Sequence, residues 1–124
     1  VLIATEQTSY KKAVLEQVLG NLQNSSLFIR IVDVNELPFE DAGSYSAIVV
    51  INSCFAWHLR PSVTRFFDQT DARDRVILLV TAANPNWQSG VEGVDAMTSA
   101  SQLVSVAAAA RWITAAIDQR LENY

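Results

Sequence analysis

The stretch Tyr45-Ser46-Ala47-Ile48-Val49-Val50-Ile51-Asn52 is apolar at five consecutive positions, 47 to 51. A strand with one wet face alternates polar and apolar residues; this one does not, so both of its faces are expected to be buried. Val76-Ile77-Leu78-Leu79-Val80 repeats the pattern, and residues 75–82 read as a second such strand. Residues 1–5, Val1-Leu2-Ile3-Ala4-Thr5, read as a third. Strands buried on both sides belong to parallel sheets held between layers of helix.

The segments between these strands supply the helices. Val14, Leu15, Val18, Leu19 and Leu22 recur at helical spacing, which predicts a helix over residues 10–23 with Thr8 or Ser9 as its N-cap. Residues 24–26 read as a turn and residues 27–34 as a strand. Residues 35–44 hold Pro38 and Gly43, and read as a loop with at most one turn of helix. Pro61 suits the first turn of a helix running to residue 69, with Val63, Phe66 and Phe67 facing inward. Residues 84–93 hold Pro85, Gly90 and Gly93, too irregular for a full helix. Residues 94–98 read as a fifth strand. Ser101 then caps a helix over residues 102–121, with Leu103, Val106, Ala110, Ile113 and Ile117 on one stripe. No repeat or linker interrupts the pattern, so residues 1–124 form one expected α/β domain. Right-handed crossovers place all strand-to-helix loops at one edge, where ligands of such sheets bind. That edge comprises residues 6–9, 53–60, 82–88 and 98–101.

Composition excludes several function classes. Half of the 124 residues are hydrophobic and 18% are charged, which excludes a disordered chain. Apolar runs of five residues are far too short for a membrane span, so no membrane partner is expected. Nine Lys+Arg against thirteen Asp+Glu give a net charge of −4 with no basic stripe, so nucleic acid is not an expected partner. One cysteine and one histidine exclude a disulfide framework and a His- or Cys-rich metal site within the chain. There is no Gly-x-Ser-x-Gly elbow and no second histidine, so no hydrolase triad and no catalytic residue is assigned. The sequence opens on Val1-Leu2-Ile3 without methionine, so upstream trimming is expected. A cytoplasmic location is favoured, with export left open.

Two stretches carry a family likeness. Ser53-Cys54-Phe55-Ala56-Trp57-His58 is followed, after two residues, by Pro61-Ser62-Val63-Thr64-Arg65-Phe66-Phe67-Asp68. This resembles the flavodoxin-like pattern of a ligand loop, a proline, an apolar helix and Phe-Leu-Asp. Val76–Thr81 resembles the fourth strand of that family. The likeness covers most of the chain. It implies a three-layer sandwich with a parallel sheet ordered 2-1-3-4-5, the helices after strands 2 and 4 being short or missing here. It also implies flavin mononucleotide (FMN) as the cofactor and electron transfer as the function.

On that reading the site follows residue by residue. Thr5, Thr8 and Ser9 hold the phosphate, with Lys11 or Lys12 adding charge. Phe55 or Trp57 stacks on the flavin ring, and Trp87, beside Asn84, is a second stacking candidate. His58 polarises a flavin carbonyl, and Ser53 and Cys54 lie in the same loop. Ser99 and Ser101 present hydroxyls at the edge. Asp95 to Ser101 also resembles the Asp-x-x-Ser/Thr-Gly-Ala-Thr acceptor for covalent flavin, although Ser99 replaces its glycine, Ser101 its threonine, and that acceptor belongs to another fold. Each residue also has a plainer reading: an N-cap, rings closing the core, a solvated histidine, an inert thiol.

The first loop departs from the family. Thr8 stands at the central glycine, Tyr10 at a small hydroxyl residue, and Glu6 brings negative charge toward the phosphate. The alternative is therefore a flavodoxin-like binding or protein-interaction module that has lost FMN. Glu6 and Tyr10 filling the phosphate position would favour it. A phospho-receiver of the same topology is excluded, because Asn52-Ser53 follows the third strand where that chemistry needs an aspartate. Finally, missing helices should leave one apolar sheet face open, and a second copy of the chain is expected to cover it. Collapse of Leu37-Pro38-Phe39 onto that face is the competing cover.

Overall fold

A computed structural model describes residues 1–23, 26–53, 59–81, 94–99 and 106–123. Its five strands are β1 (Leu2–Thr5), β2 (Arg30–Asp33), β3 (Ile48–Ser53), β4 (Val76–Thr81) and β5 (Asp95–Ser99). All are parallel, in the order β2-β1-β3-β4-β5. The helices are α1 (Ser9–Leu22), α2 (Pro61–Gln69) and α3 (Val106–Asn123). The α/β class, the parallel sheet and its order therefore agree with the sequence reading.

The continuous apolar strands do what their pattern demands. Ile48, Val49, Val50 and Ile51 are all solvent-free, as are Ile77, Leu78, Leu79 and Val80. Alternation along each strand sends them into two cores. Ile3, Val49, Ile51, Ile77 and Leu79 pack with Val14 and Val18 of α1 and with Ile113 and Ile117 of α3. Ala109 and Ala110 are also buried in this layer, where their small side chains permit a close helix approach. Asn21 Nδ2 donates to Thr114 Oγ1 at 3.1 Å and ties α1 to α3. At the far end of α3, buried Arg120 donates to the Val76 carbonyl at 3.3 Å and to the Ala116 carbonyl at 3.1 Å.

The opposite face corrects one expectation. Leu2, Ala4, Ile48, Val50, Leu78 and Val80 are covered by Val63, Phe66 and Phe67 of α2 together with Val34 and Leu37. Those last two come from a 3₁₀ helix, Val34–Phe39, two turns long where a loop with at most one turn of helix was expected. Asp33 caps it by accepting the Asn35 N–H at 2.9 Å. Residues three apart eclipse in a 3₁₀ helix, so Val34 and Leu37 present one apolar edge to the sheet. Among the described residues this face is covered from within one chain by α2 and the 3₁₀ helix, the cover named above as the competitor to a second copy. A second short 3₁₀ helix, Ala42–Ser44, follows.

The second strand is shorter than the 27–34 expected from its apolar run. Its ladder with β1 runs over Arg30–Asp33. Before it, the Phe28 carbonyl still accepts from the Val1 ammonium at 2.8 Å, while the Phe28 side chain is 74% exposed. Residues 24–25, 54–58, 82–93 and 100–105 lie outside the described residues, and with them the reading of a missing helix after β4.

Candidate functional site

The sheet order reverses between β1 and β3, so their following chains leave toward opposite faces. Such a switch point leaves a crevice beyond the carboxyl ends of the two strands. Register decides which side chains meet there. Thr5 pairs with Ile51, Ser53 with Thr81, and Thr81 with Ser99. Ser53 and Thr81 follow Ile51 and Leu79 by two residues and so point to the α1/α3 side. One residue past β1, the Glu6 N–H still donates to the Ile51 carbonyl at 3.3 Å. This holds the Glu6 carboxylate beside the end of β3.

That carboxylate is the centre of a buried polar network. Glu6 Oε1 accepts from the Ser53 N–H at 2.6 Å and from Arg60 Nε at 2.8 Å. Glu6 Oε2 accepts from Ser53 Oγ at 3.0 Å. Lys11 Nζ lies 3.9 Å from Glu6 Oε2 and donates to Ser53 Oγ at 3.0 Å and Thr8 Oγ1 at 3.4 Å. Thr81 Oγ1 sits 3.4 Å from Ser53 Oγ. Proton bookkeeping orients the hydroxyls. An ammonium and a guanidinium only donate, so Ser53 Oγ accepts from Lys11 and Thr81 and gives its own proton to Glu6.

Burial makes these contacts count. Glu6 is 7% exposed and Lys11 3%, whereas the Arg60 side chain is 41% exposed. The network therefore has a closed floor and one cation open to water. Burial pushes the Glu6 carboxyl upward, but the Ser53 N–H, the Arg60 guanidinium, the Lys11 charge and the Ser53 hydroxyl outweigh it. The group is held below its ordinary value. The Lys11 ammonium is lowered, first by burial, with Glu6 opposing and Arg60 reinforcing.

A pH dependence follows from the Glu6 direction. A carboxyl lowered on folding adds stability above its unfolded value, roughly 4.3, and that stability is lost as pH falls through the folded value. Urea midpoints measured from neutral pH downward should fall more steeply for the wild type than for Glu6→Gln below roughly pH 4.3. Parallel curves would show that Glu6 carries no differential charge on folding.

The predicted residues separate into groups. Thr5, Thr8, Ser9, Ser53 and Ser99 fall at one edge, as the topology requires. Thr8, not Ser9, is the N-cap of α1, its hydroxyl accepting the Lys11 N–H at 3.3 Å. Thr5 Oγ1 donates to the Glu6 carbonyl at 3.1 Å. Cys54, Phe55, Trp57, His58, Asn84, Trp87 and Ser101 lie outside the described residues. Tyr10 packs partly buried against the α1/α3 core. Lys11, rather than Tyr10, meets the Glu6 carboxylate. Arg60 and Thr81 were not foreseen. Nor was Asn52, fully buried on the α2 side with no hydrogen-bond partner for either amide atom among the described residues. Leaving such a group unpaired costs about 1–3 kcal/mol.

Among the described residues, the side chains around Glu6 are already engaged within the chain. Thr8 caps its own helix, and the Ser53 N–H and hydroxyl, Arg60 and Lys11 are already engaged around Glu6. Two like unit charges 4 Å apart repel by about 4 kcal/mol at an effective dielectric near 20, and a phosphate dianion would double that. Among the described residues no group of three His, Cys, Asp or Glu side chains is placed to hold a metal ion. No described helix is long and apolar enough to cross a membrane. A cavity of about 490 Å³ opens at the other end of the sheet, lined in part by Asp41, Phe66, Asp71, Asp74 and Arg75.

No family model matches the chain, and no curated protein matches it. Among solved structures, the oxidised flavodoxin 2 of Bacillus cereus is similar with a TM-score of 0.65. The likeness covers 96% of this chain and 97% of that one at 12% sequence identity. At that identity the likeness speaks to architecture, and the architecture is flavodoxin-like.

Proposed function

We propose that the chain is a flavodoxin-like binding module that works without FMN. The observation supporting this is the Glu6 carboxylate at the end of β1, seated on the Ser53 N–H at 2.6 Å and on Arg60 at 2.8 Å. A phosphate loop presents unengaged donors to an incoming dianion. Here the chain places its own carboxylate at the switch point, on donors from the end of β3 and the entry to α2. The module keeps the rigid scaffold and the convergent edge loops, and turns them to a different ligand or a protein partner.

Electron transfer through bound FMN is the competing reading. It draws on the flavodoxin architecture and on the edge shared by β1, β3, β4 and β5. One experiment separates the two. Purified protein should lack the visible bands of oxidised flavin, and titration should find no FMN binding at tens of micromolar. A yellow protein, or saturation well below that range, would restore the redox reading and with it the stacking roles of Phe55, Trp57 and Trp87.

A further inference from the structure

We infer that Lys11, Ser53 and Arg60 form a complete oxyanion site whose resident anion is Glu6, so that removing this one carboxylate opens the site to inorganic phosphate. The inference rests on the reading of Glu6 as occupant of the phosphate position.

The donor set is what carries it. Two cations, a backbone N–H and a hydroxyl converge on one carboxylate within 2.6 to 3.9 Å. This combination of charge-assisted donors and an oriented N–H is what a tetrahedral oxyanion requires. Lys11 is 3% exposed and held in place by Thr8 and Ser53, so its ammonium stays aimed at the site when the carboxylate is gone. Arg60, 41% exposed, lies on the solvent side, where an anion would enter. The present occupant is tethered. A group held on the same chain reaches effective concentrations of millimolar or more, so free phosphate competes poorly against it. The contact is thus autoinhibitory: the anion site exists and the fold keeps it filled.

The test compares wild type, Glu6→Ala and Glu6→Ser in phosphate and in chloride of equal ionic strength, at neutral pH, by calorimetric titration and thermal midpoint. Glu6→Ala is expected to bind inorganic phosphate at least about a hundredfold more tightly than wild type. Its midpoint should rise with phosphate concentration, as binding to the native state alone requires. Should Glu6→Ala fail to fold, Glu6→Ser carries the test, because its short polar side chain removes both the charge and the bulk that fill the site. Adding Lys11→Met to either variant should abolish the phosphate response. The inference is overturned if folded variants respond equally to phosphate and chloride, or if the response survives Lys11→Met. FMN binding by the wild type is a separate result: it would refute the FMN-free reading, whereas a wild type without FMN beside a variant that ignores phosphate would refute only the oxyanion site.

Discussion

Glu6→Ala is expected to lower the free energy of unfolding by about 3–5 kcal/mol in phosphate-free buffer, read as a fall in the urea midpoint. Exposed ion pairs are worth only about 0–1 kcal/mol. The difference comes from what the substitution leaves behind. Lys11 is buried, and without Glu6 its ammonium is left, among the described residues, with the hydroxyls of Thr8 and Ser53 as acceptors and the Arg60 charge nearby. The Ser53 N–H loses its acceptor at the same time. Arg60 suffers less, since it is half open to water and can turn outward. Glu6→Ala combined with Lys11→Met should therefore recover part of the loss, because an apolar chain of similar length replaces the stranded charge. A native domain of this size carries about 5–15 kcal/mol in all, so the single variant falls near the limit of folding. A loss below about 1 kcal/mol would place the network in the class of solvated surface pairs and remove the basis for a closed site.

The elements legible in the sequence are those whose physics is local. Residues 47–51 and 76–80 announced strands buried on both faces, and both are solvent-free. Pro61 and the spacing of Val63, Phe66 and Phe67 announced α2, and all three side chains are buried. The 3₁₀ helix was harder to read. Its signal, Val34 and Leu37 three residues apart, is too short to stand out, and Pro38 speaks for a loop. It forms because the sheet face behind it offers apolar surface, a tertiary cause that no window of sequence contains. The site divides in the same way. Glu6 and Lys11 are visible in the first loop, where their charges stand out against the family pattern. Ser53, Arg60 and Thr81 reach the same carboxylate neighbourhood from other elements, brought there by the pairing of Ser53 with Thr81 and by the chain's entry into α2. Register, which the sequence leaves implicit, is what makes the network.

Leu37→Ala tests whether that 3₁₀ helix is the true cover of the sheet. Leu37 is fully buried in the cluster that holds Leu2, Ile48, Val50 and Phe66. Truncating a buried leucine removes its transfer free energy and leaves a cavity, together about 3–5 kcal/mol. Its neighbour Phe39 makes the control: it is 74% exposed, with Arg65 stacked 5.7 Å from its ring. Phe39→Ala should change stability by no more than about 0.5–1 kcal/mol. The contrast between two large apolar residues two positions apart follows only if Val34–Phe39 lies against the sheet through its Leu37 edge. If a second copy of the chain covered that face instead, Leu37 would be cheap to remove. The unfolding midpoint would then rise with protein concentration, because dimerisation ties stability to mass action. Sedimentation of the wild type as a monomer at micromolar concentration, with a costly Leu37→Ala and a nearly silent Phe39→Ala, is the expected pattern. An unchanged urea midpoint in Leu37→Ala would mean that something other than this 3₁₀ helix shields Ile48 and Val50 from water.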